Sequence, residues 1–296
     1  MNDLIADGAE LERLFTGTEW AEGPVWLPES QSLRWSDIPN NRILEYDSIT
    51  GQTIVFRDGA EFTNGRTLDL EGRVVQCSHG RRAIERETED GPVVVVDHFG
   101  PHRLNSPNDI VVASDGSIWF SDPPYGIAAW GREGHPGEEE YGGSFVFRFD
   151  ESTGVIAPMI TDMVRPNGLA FNLDETILYV SDTAEIDVPG GLAHIRAYDV
   201  VDGQCVNSRV FAEPRPGVSD GFRVDREGRI WTSSLSSVQV FAPSGELLAR
   251  IPVPEKSSNL CFGGIDGSDL YVTASTSLYR IRTTTTAAPR AVRSEQ

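Results

Sequence analysis

Cysteine is scarce in this chain, and its distribution excludes two scaffolds at once. The three residues, Cys77, Cys205 and Cys261, are odd in number and far apart among 296 positions. They form neither a disulfide framework nor the paired knuckles of a structural zinc site. Cys77 and Cys261 fall in alternating stretches and read as small buried residues. A basic-then-apolar leader at Met1 is lacking, as is any long apolar run. Neither export nor a membrane-spanning helix is therefore expected, and the chain reads as cytoplasmic. Positive charge is also in short supply: 25 Lys and Arg face 45 Asp and Glu, a formal charge of −20 and a pI near 4.6. Such a surface repels phosphate backbones and anionic lipid, which argues against nucleic acid and membrane as partners, and it favours cations. Most of the acids are expected on solvated faces.

Turn formers, by contrast, are plentiful. With 29 Gly and 18 Pro the chain can punctuate many short antiparallel strands. Six stretches share one pattern: a polar residue, an alternating strand, an acidic or glycine turn, and a second alternating strand. The clearest is residues 219–235, opened by Asp220; the others open at Glu22, Asn64, Asn108, Asn167 and Asn259. Successive openings are 42, 44, 59, 53 and 39 residues apart. That spacing leaves room for two further strands per copy and matches a propeller blade. The reading is an all-β chain, a six-bladed β-propeller with four-stranded antiparallel blades, occupying residues 1–296 as one domain. Residues 11–15 are a candidate to complete the last blade, and residues 283–296 are expected to form a flexible tail.

Consecutive strands of such a blade alternate direction, so all six opening residues stand on one face, where the chain enters each innermost strand. They must converge around the central channel. Two long insertions, residues 123–143 and 183–193, fall on the same face. Loops of that length are more often functional than short ones; these either wall a pocket or are ordinary solvated loops.

Asn, Asp and Glu are good turn residues, and any one of the six could merely begin a strand. As a ring they bring the anions Glu22 and Asp220 together beside amide oxygens. That donor set suits a hard cation such as Ca²⁺, and no Cys/His cluster offers a zinc site. Pro107 and Pro166 precede Asn108 and Asn167 and restrict how the chain enters both positions.

Several stretches together resemble the SMP-30/gluconolactonase/luciferin-regenerating-enzyme-like family, over roughly residues 15–282. They are Glu22-Gly-Pro-Val-Trp26, Arg103-Leu-Asn-Ser-Pro-Asn-Asp109, Arg165-Pro-Asn-Gly-Leu-Ala-Phe171, Ser219-Asp-Gly-Phe-Arg-Val-Asp225, Cys77-Ser-His-Gly-Arg-Arg82 and Asn259-Leu-Cys-Phe-Gly-Gly264. Within the family the chain is more similar to the bacterial gluconolactonase-like branch. The resemblance implies one divalent cation in the channel, usually Ca²⁺, with Mg²⁺, Mn²⁺ or Zn²⁺ as alternatives, held by Glu22, Asn108, Asn167 and Asp220. It also implies hydrolysis of a small-molecule lactone, the metal polarising the ester carbonyl for attack by water. Asp220 is then both ligand and base, and His79, which follows the second strand of its blade, is the other candidate base.

Arg103 and Asn105 resemble the family stretch that contacts sugar hydroxyls, against the plain reading of Arg103 as a rim ion pair. Asn64 joins them as a candidate substrate contact, while Asn259 lines the ring without an assigned role. His98, His102 and His135 read as surface residues and His194 as structural. Asp37, Asp122 and Asp182 recur in Ser-Asp pairs, which argues for a shared turn role over catalysis. The competing functional readings are a metal-dependent esterase or phosphotriesterase, and a Ca²⁺-stabilised binding propeller without catalysis. A monomer or homodimer is expected.

Overall fold

The computed structural model describes residues 3–289. Six four-stranded antiparallel sheets succeed one another along the chain, forming the expected all-β six-bladed propeller. The first blade contains Ala21–Leu27, Ser32–Asp37, Arg42–Asp47 and Thr53–Asp58, and the second Thr63–Leu68, Val74–Ser78, Ala83–Thr88 and Gly91–Val96. The third contains Ile110–Val112, Ile118–Asp122, Phe145–Asp150 and Val155–Ile160; the fourth, Pro166–Phe171, Ile177–Asp182, His194–Val201 and Gln204–Ala212. The fifth contains Phe222–Val224, Ile230–Ser234, Ser237–Phe241 and Leu247–Pro252. Among the described residues the only helical segments are the 3-10 turns Tyr125–Ile127 and Ala184–Ile186, and no helix is long and apolar enough to cross a membrane.

The sixth blade joins the two ends of the chain. Ser257–Gly263, Asp269–Ala274 and Ser277–Arg282 are completed by Glu12–Thr16, with Glu12 opposite Arg280 and Thr16 opposite Ser277. The residues that follow depart from the expected flexible tail as far as Pro289. Thr283 bridges Ile5, Ala287 bridges Asp225, and Ala288 N donates to Val224 O at 2.9 Å. The reason is local: the free edge of Phe222–Val224 accepts another strand, and the hydroxyls of Thr283 and Thr285 find Ser268 O and Glu227 Oε2. Residues 290–296 of that expected tail lie outside the described residues.

The core lies between blades, because the middle strands bury side chains on both faces. Leu33, Trp35, Leu44 and Tyr46 of the first blade pack with Cys261, Tyr271 and Leu278 of the sixth. Val75, Cys77 and Ile84 of the second meet Ile118, Phe120 and Phe147 of the third. Cys77 and Cys261 are buried free thiols, as expected.

Glycine sets how tightly the innermost strands converge. Glu22, Asn64, Asn167 and Asp220 are each followed by Gly. A Cβ on Gly65 would lie 2.5 Å from Asn108 O, and one on Gly168 would lie 2.3 Å from Asp220 O. Instead Gly65 N donates to Asn108 O at 2.8 Å and Gly168 N to Asp220 O at 3.0 Å. Without a side chain, each strand docks directly on the next blade's ring residue.

Candidate metal and active site

Glu22, Asn64, Asn108, Asn167 and Asp220 form the floor of a cavity of about 230 Å³ at one mouth of the channel. The first four are buried, and Asp220 keeps one face open. Glu22 is fixed by two donors on one oxygen: Gly23 N at 2.7 Å and Asn259 Nδ2 at 3.1 Å from Oε2. Asn259 is thus spoken for. Its Oδ1 accepts Leu260 N at 2.9 Å. Asn167 lines the cavity beside Asp220 and its Nδ2 donates to Thr183 Oγ1 at 3.4 Å, and that hydroxyl pairs with Tyr125 OH at 2.7 Å.

Negative charge is concentrated here. Burial, and then Asp220, pushes Glu22 well above the ordinary carboxylate range. Burial raises Asp220 to about 6, with Lys256 opposing and Asp109 adding to the rise. Asp109 lies behind the ring, fully buried and raised by burial against the pull of Arg223, whose Nη1 is 3.6 Å from Oδ2. Two carboxylates that repel each other, set among amides, make a hard-cation donor set of oxygens. Among the described residues no three His, Cys, Asp or Glu side chains gather as a metal cluster, and the ring combines two carboxylates with three amides. The ring's chemistry fits a divalent cation of the Ca²⁺ or Mg²⁺ type.

Both long insertions contribute to the walls. Tyr125, Trp130, Arg132 and Glu133 come from residues 123–143, Ile186 from residues 183–193, and Trp20 and Lys256 from links between blades. The longer insertion runs as a strap from the third blade across the second to the first. His135 stands edge-on to Phe62 with ring centroids 5.3 Å apart, and Arg132 Nη2 reaches Glu19 Oε1 at 2.7 Å. Arg82 holds its far side, donating to Leu104 O at 2.6 Å and Glu138 O at 3.1 Å. Glu133 turns its carboxyl inward, and burial followed by the charge of Asp220 raises it to about 7.

Three residues expected at the site stand elsewhere. His79 is fully buried and does not line the cavity. Its Nδ1 donates to Glu133 O at 2.9 Å, which leaves Nε2 as the acceptor 3.4 Å from Asn64 Nδ2. Burial lowers its pKa to about 4, so the ring stays neutral and ties the strap to Asn64. Asn105 is also fully buried. Its Nδ2 donates to Asp122 O at 3.0 Å and Gly143 O at 2.9 Å, closing the base of the strap, with Oδ1 unpartnered. The exposed Arg103 guanidinium bonds Arg81 O at 3.0 Å. Neither residue lines the cavity, because the strap's anchorage occupies both.

The Ser-Asp pairs do have a shared structural role. Asp37, Asp122 and Asp182 accept backbone N–H groups of Glu19, Asn105 and Val164, at 2.8, 2.7 and 2.9 Å. Each clamps the link that leads into its own blade. Sequence reasoning passed over Asp109, Glu133 and Lys256. Asp109 carried a signal, lying directly after a ring residue; Lys256 carried another, since it is the chain's only lysine.

A larger cavity of about 300 Å³ opens at the other mouth, where the inner strands end. Val25, Leu68, Val112, Phe171 and Phe262 make it largely apolar. Glu175 and Asn172 lie at its rim, whereas the carboxylates of Glu22, Glu133 and Asp220 and the amides of Asn64, Asn108 and Asn167 gather at the smaller cavity.

The chain is similar to several known proteins. A family model described as the SMP-30/gluconolactonase/LRE-like region matches residues 20–276. A gluconolactonase of Zymomonas mobilis is 30% identical, over 96% of this chain and 84% of its own length. A pentonolactonase of Haloferax volcanii is 29% identical over 87% of this chain and 82% of its own. The structure of a gluconolactonase from Xanthomonas campestris aligns with a TM-score of 0.89 at 38% identity, covering 95% of this chain and 91% of that one.

Proposed function

The chain belongs to the SMP-30/gluconolactonase/LRE-like family, and from that premise we propose that it is a hydrolase that opens sugar lactones with the help of a divalent cation. The observation that carries this reading is the floor of the cavity. Two carboxylates, the buried Glu22 and the half-buried Asp220, meet the amides of Asn108 and Asn167 beneath a space walled by both insertions. The likeness to gluconolactonases and a pentonolactonase supports a lactone of the aldonolactone class as substrate.

In this reading Glu22, Asn108, Asn167 and Asp220 hold the cation, with Ca²⁺ the ion their oxygens suit best. When bound, it supplies Lewis-acid polarisation of the ester carbonyl. Asp220 takes the proton of the attacking water from its place on the cavity floor beside Asn167. Gly23 N and Asn259 keep Glu22 in place through the cycle. Burial raises the Tyr125 phenol, which keeps its proton and is oriented by Thr183. Trp20, Trp130 and Ile186 narrow the mouth and limit the water that enters with substrate. His79 acts through Asn64 and the strap as a positioning residue.

Purified protein should open glucono-1,5-lactone faster than buffer, lose that rate in chelator and regain it on adding Ca²⁺. Equal rates in chelated and loaded samples would remove the cation from the reaction. A parallel panel of aryl esters and phosphotriesters, whose hydrolysis uses the same polarising chemistry, ranks the substrate class.

A further inference from the structure

Of the 25 basic residues, 24 are arginine, and Lys256 is the single lysine. It precedes Ser257–Gly263, the innermost strand of the sixth blade, and lines the cavity beside Asp220 and Glu133. Its Nζ lies 4.8 Å from the centroid of the Trp20 ring. A ring face holds a cation without neutralising it or consuming its N–H donors. Among the described residues no carboxylate forms an ion pair with it, whereas the cavity's other cation, Arg132, is committed to Glu19 at 2.7 Å. The charge of Lys256 nevertheless acts on both Asp220 and Glu133. One uncommitted ammonium therefore faces three acids across the space where substrate must sit.

We propose that Lys256 gives a proton to the ring oxygen of the lactone as the ester bond breaks, an assignment that rests on the lactone hydrolysis proposed above. Water attacks the acyl carbon as Asp220 accepts one of its protons. The bond from the acyl carbon to the ring oxygen then breaks, its electron pair passing to that oxygen. The ring oxygen of an aliphatic lactone leaves as a strongly basic alkoxide, and proton donation removes that obstacle. The new carboxylic acid returns a proton to the Lys256 amine, and Asp220 releases its own to solvent. Each turnover yields one hydroxy carboxylate and one proton.

Lysine suits this task where arginine does not, because a guanidinium does not give up a proton in proteins. The chain uses arginine at every other basic position. The Tyr125 hydroxyl is engaged with Thr183. Glu133 is the rival donor, and the test separates it from Lys256.

Lys256→Met, Lys256→Arg and Glu133→Gln would each be assayed, metal-loaded, on two substrates. One is glucono-1,5-lactone; the other is dihydrocoumarin, a lactone whose leaving group is a phenolate that needs no proton. Lys256→Met should lower kcat on the aliphatic lactone by about 10²–10⁴-fold and on the phenolic one by less than about tenfold. Lys256→Arg should fail to restore the aliphatic rate. Equal losses on both substrates, full rescue by arginine, or a leaving-group-dependent loss in Glu133→Gln alone would overturn the assignment. Wild-type protein that opens neither lactone refutes the hydrolase reading itself, a separate result. Reductive methylation gives a check that needs no variant, since only Lys256 and the α-amino group can react. Gluconate should protect Lys256 and not the α-amine; equal labelling would mean that ligand in the cavity does not cover Lys256.

Discussion

Asp220→Asn should stabilise the chain when no cation is bound and weaken it when cation is present. The Asp220 carboxyl stands at about 6 in the folded chain, against an ordinary 3.8. The folded state therefore holds the proton more tightly than the unfolded one. The stability this group adds is present below pH 3.8 and is lost as the pH rises through 6. The difference amounts to about 3 kcal/mol at pH 8, an upper figure because one face of Asp220 meets cavity water. Asparagine keeps the size and one side-chain oxygen, and it removes the anion whose charge acts on Glu22. For a chain of this length about 3 kcal/mol corresponds to a rise in Tm of about 5 °C. Thermal melts of wild type and variant in chelator at pH 8 should show that gap, closing by pH 4. Saturating Ca²⁺ at pH 8 should reverse the order, because the variant has lost a carboxylate ligand. A variant that melts below wild type in chelator at pH 8 would refute the electrostatic account of the ring.

Other consequences follow from the same geometry. Gly168→Ala drives a Cβ to 2.3 Å from Asp220 O; it should cost about 3 kcal/mol and loosen Ca²⁺ binding in calorimetric titration, and an unchanged melt would mean the ring tolerates looser packing. His79→Asn should lower turnover less than tenfold and leave the acidic limb of the pH–rate profile in place, whereas loss of that limb would make His79 the base. Arg132→Ala breaks an exposed pair with Glu19 that is worth at most about 1 kcal/mol. Its Tm should stay within about 2 °C of wild type while KM rises several-fold, and an unchanged KM would deny the strap a part in substrate binding.

The fold was legible because each blade repeats its own grammar. A polar residue, an alternating strand and an acidic or glycine turn recur six times, and the spacing alone leaves room for four strands. The ring was legible for the same reason: topology dictates that residues opening the innermost strands meet at one mouth. What the repeat could not convey was which side of a link a side chain faces. Asn105 and Asn108 are three residues apart in one link, yet Asn108 floors the cavity while Asn105 is buried at the base of the strap. His79 follows its strand toward the ring, but the strap lies over it and captures Nδ1. Glu133 and Lys256 were hidden for another reason. They come from non-repeating segments whose path depends on tertiary contacts such as Arg132–Glu19 and Lys256–Trp20. The end of the chain misled because a Thr/Ala-rich segment looks solvated, while the open edge of the fifth blade gives its backbone a partner as far as Ala288.

On the proposed reading, one divalent cation sits among Glu22, Asn108, Asn167 and Asp220. Crystals grown with Mn²⁺ in place of Ca²⁺, measured on both sides of the manganese absorption edge, test it most directly. One strong anomalous peak should stand on the channel axis, bounded by oxygens of those four side chains and absent from crystals of Asp220→Ala. A peak held by other residues, or a ring that stays without one at saturating Mn²⁺, would contradict it.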